Sequence, residues 1–159
     1  MLKTLARAAV LVIAITYADR AGADELFKAT LSGDEEVPPV ATDTTGRALL
    51  KLNQAETEIG FQLHVNDGVG IQQAHIHCAA VGANGPVVVF LAGFNQAGYD
   101  VDGKWVSNAT IIDASIVDTT CGATVSALAE SMRNGRAYAN VHSVDHLAGV
   151  VRGQIEATH

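Results

Sequence analysis

From residue 58 to residue 65 apolar and polar side chains alternate without a break, with Ile59, Phe61, Leu63 and Val65 on one side and Glu58, Gly60, Gln62 and His64 on the other. Successive side chains of an extended chain point to opposite faces, so this period of two predicts a half-buried strand rather than an amphipathic helix. The same period recurs elsewhere. Phe27, Ala29 and Leu31 alternate with Lys28, Thr30 and Ser32, and Ala48, Leu50 and Leu52 share a face between Gly46 and Leu52. Near the end, Ala137, Ala139 and Val141 oppose Tyr138, Asn140 and His142. Val151, Gly153, Ile155 and Ala157 then oppose Val150, Arg152, Gln154 and Glu156.

Turn-forming residues separate these runs. Pro38-Pro39 excludes a central strand, and Asn84-Gly85-Pro86 marks a turn. Asn66-Asp67-Gly68 predicts a hairpin between the 59–65 strand and the next. Pro86 to Leu91 is continuously apolar, which predicts a strand covered on both faces. Residues 92–107 are rich in Gly, Asn and Asp, with Tyr99 and Trp105 isolated among them, and predict a long surface loop before a short strand from Asn108 to Ile112. Only Thr124 to Arg133 has helical spacing, through Val125, Leu128 and Met132, with Asn134-Gly135 as its stop. Together these runs predict an all-β fold, an antiparallel Greek-key-like sandwich or flattened barrel of about eight strands with one short helix.

The chemistry-bearing stretch is Ala74-His75-Ile76-His77-Cys78. On a strand, His75 and His77 share a face about 6.6–6.8 Å apart, while Ala74, Ile76 and Cys78 face the core. If Val141 and Val151 are core residues too, His142 and Arg152 also lie on the outward face of their strands. Three neutral imidazoles, from His75, His77 and His142, suit copper, or zinc, better than magnesium or calcium, which take oxygen ligands. Three ligands leave an open coordination position, and Arg152 beside it can attract a small anion. His146, in the loop after His142, is a candidate outer or fourth ligand. The alternative is that these are surface or hydrogen-bonded histidines with no ion. His64 shares its face with Glu58 and Gln62 and reads as solvated, and His159 is terminal. Asp34, Glu35 and Glu36 read as a solvated acidic loop. His142, Ser143 and Asp145 carry the letters of a hydrolase triad, but such close neighbours do not present its geometry, and no Gly-x-Ser-x-Gly elbow is present.

Residues 1–23 read as a secretory signal peptide: Lys3 and Arg7 precede the apolar run Ala8 to Tyr17, and Ala21-Gly22-Ala23 fits a small-x-small cleavage site. A single domain over residues 24–159 is the remainder, exported to the periplasm or the extracellular space. It carries 7 basic and 16 acidic residues, which gives no electrostatic footprint for nucleic acid and admits a cation as partner. No stretch is long and apolar enough for a membrane span. Cys78 and Cys121 are the only cysteines, and in an oxidising compartment a disulfide is the default. A Cys78 thiolate ligand beside His77 is the alternative, although Cys78 alternates to the opposite face.

Several blocks, in order, resemble the CHRD (chordin) domain: residues 31–40, Leu-Ser-Gly-Asp-Glu-Glu-Val-Pro-Pro-Val; 74–77, Ala-His-Ile-His; 84–88, Asn-Gly-Pro-Val-Val; and 138–143, Tyr-Ala-Asn-Val-His-Ser, with Arg152-Gly153-Gln154. The resemblance runs from about Phe27 to Glu156 and implies an exported binding module, of a family found in chordin and in many small exported bacterial proteins, mostly without an assigned activity. The family often has an acidic residue just before its Arg-Gly-Gln block, where this chain has Val150. A weaker similarity is to copper-zinc superoxide dismutases, which implies that His75, His77 and His142 match three copper ligands and Arg152 an anion-guiding arginine. No histidine lies between Cys78 and Val141, so a bridging histidine and a zinc subsite do not transfer. What that similarity implies is a copper-only, superoxide-dismutase-like oxidoreductase, set beside the binding module and a metal-free structural or matrix domain.

Overall fold

The computed structural model describes residues 23–158. The signal peptide expected over residues 1–23 therefore lies, apart from its last residue, outside the described residues. The described chain is an antiparallel β fold of eight strands with one helix. The strands are β1 (Glu25–Leu31), β2 (Thr45–Leu52), β3 (Ile59–Cys78), β4 (Val87–Ala92), β5 (Tyr99–Ile111), β6 (Ala137–Ser143), β7 (Val151–Gln154) and β8 (Glu156–Ala157). Helix α1 (Val125–Arg133) lies between β5 and β6. The main sheet runs β7-β6-β3-β2-β1-β8, and β4 and β5 also pair with β3. Ser32, just beyond β1, exchanges both backbone hydrogen bonds with Arg152 of β7, at 3.0 and 3.1 Å, which nearly closes the sheet into a barrel. That approach depends on Gly153, whose absent Cβ would sit 2.0 Å from the Thr30 carbonyl oxygen.

The alternating runs become the barrel wall. Phe27, Ala29 and Leu31 of β1 meet Ala48, Leu50 and Leu52 of β2 and Ile59, Phe61, Leu63 and Val65 of β3 in one buried core. Helix α1 adds Val125, Leu128, Ala129 and Met132, its apolar stripe. Its first turn is capped twice: the Thr124 hydroxyl accepts from Ala127 N–H, and Asp113 Oδ1 accepts from Val125 N–H at 2.7 Å.

Three expectations are corrected. Asn66-Asp67-Gly68 does not reverse the chain: β3 runs through it for 20 residues, from Ile59 to Cys78. Asp67 and Gly70 take positive φ (52° and 59°), and the register against β5 shifts on both sides of Gly68, so the turn residues are absorbed as bulges that bend one strand. The loop expected over residues 92–107 is mostly β5, whose first part, Tyr99 to Val106, pairs with β3. With β3 as its one ladder partner among the described residues, β5 is an edge strand, so its outward positions stay polar and hide the strand pattern. In β4, Val88, Val89 and Leu91 are buried, but Phe90 is 53% exposed, so the strand is not covered on both faces.

Candidate metal centre

The second half of β3 is held between β4 and β6. His75 faces Phe90 of β4 and Asn140 of β6, and His77 faces Tyr138 of β6. Because Ala74, Ile76 and Cys78 are committed to the core, alternation turns both histidines outward. His142, paired beside Gln73, takes the same face from β6. The three rings sit together, with centroids 4.7 Å (His75–His142), 5.5 Å (His75–His77) and 5.8 Å (His77–His142) apart.

Alternation places these histidines on the outward face, as surface residues, and the structure corrects their exposure. His75, His77 and His142 are 4%, 8% and 4% exposed. Two loops, residues 79–86 and 144–150, fold against this face and each offers a backbone carbonyl to a ring. His77 Nδ1–H donates to Gly85 O at 2.9 Å, and His142 Nδ1–H donates to Leu147 O at 3.0 Å. A carbonyl only accepts, so both rings carry their proton on Nδ1 and a bare lone pair on Nε2. His142 Nε2 is 2.9 Å from His75 Nδ1, which must therefore be the donor. His75 Nε2 is then bare as well. Both His75 Nε2 and His77 Nε2 are buried without a hydrogen-bond partner.

Burial holds these rings neutral. It pushes His75 down to about 3, helped by the neighbouring His142 and His77 charges. It pushes His142 down to about 4 against the opposing bond to Leu147, and lowers His77 against its bond to Gly85. Neutral imidazole is the form that binds metal, and burial favours it in all three rings. One nitrogen from each ring lies within 4.8 Å of the other two. Seating an ion about 2.0–2.1 Å from each draws the rings together by roughly an ångström. Three nitrogen donors without a carboxylate suit copper or zinc and not a hard oxygen-seeking cation.

The other sequence candidates fall elsewhere. His146 lines an open depression with Asp43, Asp67, Asp100 and Asp145, and is not brought into the three-histidine group. Cys78 and Cys121 form a disulfide, with Cα atoms 5.6 Å apart, so Cys78 is no thiolate ligand. Ser143 Oγ accepts from His146 N–H at 3.1 Å and is not addressed by a histidine ring. His159 lies outside the described residues. Arg152 is 2% exposed and does not face the coordination position. Its guanidinium lies 3.5 Å from the Tyr138 ring centroid and donates to Asn84 Oδ1 (3.1 Å) and Ala83 O (2.9 Å). Since β6 runs between β3 and β7, Tyr138 stands between Arg152 and His77, with its ring stacked on His77 at 4.9 Å.

Residues that the sequence does not single out as site residues complete the surroundings. The Phe90 ring meets His75 edge-on at 4.9 Å. Glu36, expected to be solvated, is 6% exposed and accepts from Asn140 Nδ2–H at 2.6 Å. Burial raises its carboxyl to about 7, against the Asn140 bond and the Arg152 charge. Nothing in the acidic run Asp34 to Glu36 marks Glu36 as the buried member. Tyr138 and Asn140 did carry a signal, since alternation put them on the His142 face.

Fold and site thus define an antiparallel, nearly closed β barrel with three buried imidazoles on its outer wall. The CHRD domain model matches residues 27–155, and the chain belongs to the CHRD-domain family. No curated protein and no solved structure matches it, so the likeness to superoxide dismutases stands on the residues named above alone.

Proposed function

We propose that this is an exported CHRD-domain binding module that holds one copper ion through His75, His77 and His142. The observation that carries the reading is the pair of buried, partnerless Nε2 atoms of His75 and His77 beside His142. An unsatisfied buried polar atom costs about 1–3 kcal/mol, and two such atoms beside the His142 ring, whose Nε2 is held only by His75 Nδ1–H, point to a ligand that satisfies them together. The carbonyl of Gly85 and that of Leu147 act as outer-shell partners, fixing which nitrogen each ring presents. Export is supported by the disulfide, which belongs to oxidising compartments, and by the leader-like residues 1–23. No helix among the described residues is long and apolar enough to cross a membrane.

The test is a calorimetric titration of copper(II) into purified protein spanning residues 24–159. One equivalent bound, and lost in His77→Ala and His142→Ala, is the expected result. Absence of stoichiometric uptake, or uptake indifferent to both substitutions, removes the metal. The oxidoreductase alternative relies on Arg152 as an anion guide, and its Nη1 and Nη2 already donate to the 79–86 loop. A superoxide-consumption rate no faster than that of free copper ends that alternative. The metal-free structural domain requires that a chelator leave the stability of the isolated protein unchanged.

A further inference from the structure

Arg152 is a buried cation whose hydrogen bonds all go to neutral acceptors. Burying a guanidinium is expensive, and an apolar residue of similar volume is often as good or better for stability alone. The fork therefore has to do something that such a residue does not. All of its acceptors lie in one segment, the loop of residues 79–86: Asn84 Oδ1, Ala83 O and, more distantly, Ala80 O at 3.5 Å. Ala80, Val81, Gly82, Ala83 and Asn84 are all exposed, so little apolar burial holds this loop in place. It is fastened by polar contacts, with Gln154 Nε2 adding one to Ala79 O at 3.2 Å.

The fastened loop delivers Gly85. Its carbonyl takes the His77 Nδ1 proton, and its N–H donates to Tyr138 Oη at 3.2 Å. A Cβ on Gly85 would lie 1.9 Å from the Cys78 carbonyl oxygen, so no bulkier residue can sit there and anchor the loop from within. Tyr138 completes the path, with its ring between the guanidinium and His77.

We propose that Arg152 is a positioning residue for the metal centre, clamping the 79–86 loop so that Gly85 O holds His77 with Nδ1 protonated and Nε2 bare. The inference rests on the metal reading above for its purpose, though not for its geometry. The backbone of Arg152 closes the barrel against Ser32, and that role does not need the guanidinium. The side chain serves the loop.

The experiment is nitrogen-15 NMR of the histidine rings in metal-free protein with the disulfide intact, followed by copper(II) competition titration. Arg152→Lys keeps the charge but loses the two-pronged reach. Asn84→Ala, at an exposed position, removes one acceptor of Arg152 together with the Asn84 Nδ2–H bond to Val37 O at 2.8 Å, and so tests the fastening of the loop as a whole. Both variants are expected to turn His77 from a single Nδ1–H tautomer into a mixture, to leave His142 unchanged, and to weaken copper binding about 10–100-fold. Arg133→Ala, which removes contacts with Glu25, Glu56 and Glu130, is expected to lower stability and move neither readout. Folded Arg152→Lys protein with the wild-type tautomer at His77 overturns the proposal, and if that variant fails to fold, Arg152→Met, which keeps the volume and removes the fork, decides by the same criterion. If the wild-type protein takes up no copper, the metal reading fails, and the tautomer shift alone decides the role of Arg152.

Discussion

The two halves of β3 each put histidine on the outer wall of the barrel and treat it differently. His64, in the half from Ile59 to Val65, is only partly buried and has Arg47 and Lys104 as its cross-strand neighbours. A cation is repelled there. His75 and His77, in the half from Ile71 to Cys78, have Phe90, Asn140 and Tyr138 across the strands and two loops packed over them. The first half is plain wall, with one face in the core and one in water. The second half has both faces buried, and its outer face buries polar atoms without partners. Burial of unsatisfied imidazole has no benefit for folding, which is why we read the second half as the one that carries the function.

That contrast can be broken by substitution. The largest stability loss is expected where the second half is stapled. The Cys78–Cys121 bridge spans a sequence separation of 43 residues, and replacing both cysteines by serine should lower unfolding free energy by about 4 kcal/mol in urea melts. In the first half, Leu63→Ala opens a cavity in the core and should cost about 3 kcal/mol while leaving copper affinity unchanged.

Acid should act on the second half. A histidine in the unfolded chain titrates near 6.5, whereas His75 and His142 hold out to about 3 and 4. Between those values the unfolded chain binds more protons, so the histidine contribution to stability is complete above 6.5 and is lost as pH falls toward 3. Glu36 acts in the opposite sense. Its carboxyl is raised from 4.5 to about 7, so its contribution is present in acid and lost as pH rises through 7. Glu36 offsets part of the histidine effect between pH 6.5 and 4.5 and no longer does so below 4.5, so thermal midpoints should fall more steeply just below pH 4.5 than between 6.5 and 4.5, and less steeply in His75→Leu. At neutral pH, His75→Leu should lower stability by only about 1 kcal/mol, since it removes one orphaned nitrogen and one hydrogen bond while leaving His142 Nε2 without its donor, yet it should abolish copper binding. His64→Ala is the smallest change, within about 0.5 kcal/mol and silent in the titration.

Much of this contrast was legible from residue order, because alternation is a local property. The parity of His75, His77, His142 and Arg152 follows from which neighbours are apolar, and the structure keeps all four on the outer face. Burial is not local. What covers the histidines is the 79–86 loop, fastened by Arg152 from more than sixty residues downstream, and the loop after His142. No period announces either. Asn66-Asp67-Gly68 misled for a related reason: the same residues that reverse a hairpin also make a bulge, and only pairing with β5 on the far side decides between them. The edge strand β5 was hidden by its polar outward face, and Glu36 by two acidic neighbours that are solvated.

The most direct measurement is diffraction from crystals grown with one equivalent of copper, recorded on both sides of the copper absorption edge. The expected result is a single anomalous peak on the outer wall, about 2.0–2.1 Å from one nitrogen each of His75, His77 and His142. Copper found instead at His64, or in the depression that holds His146, or at no ordered position, would contradict it.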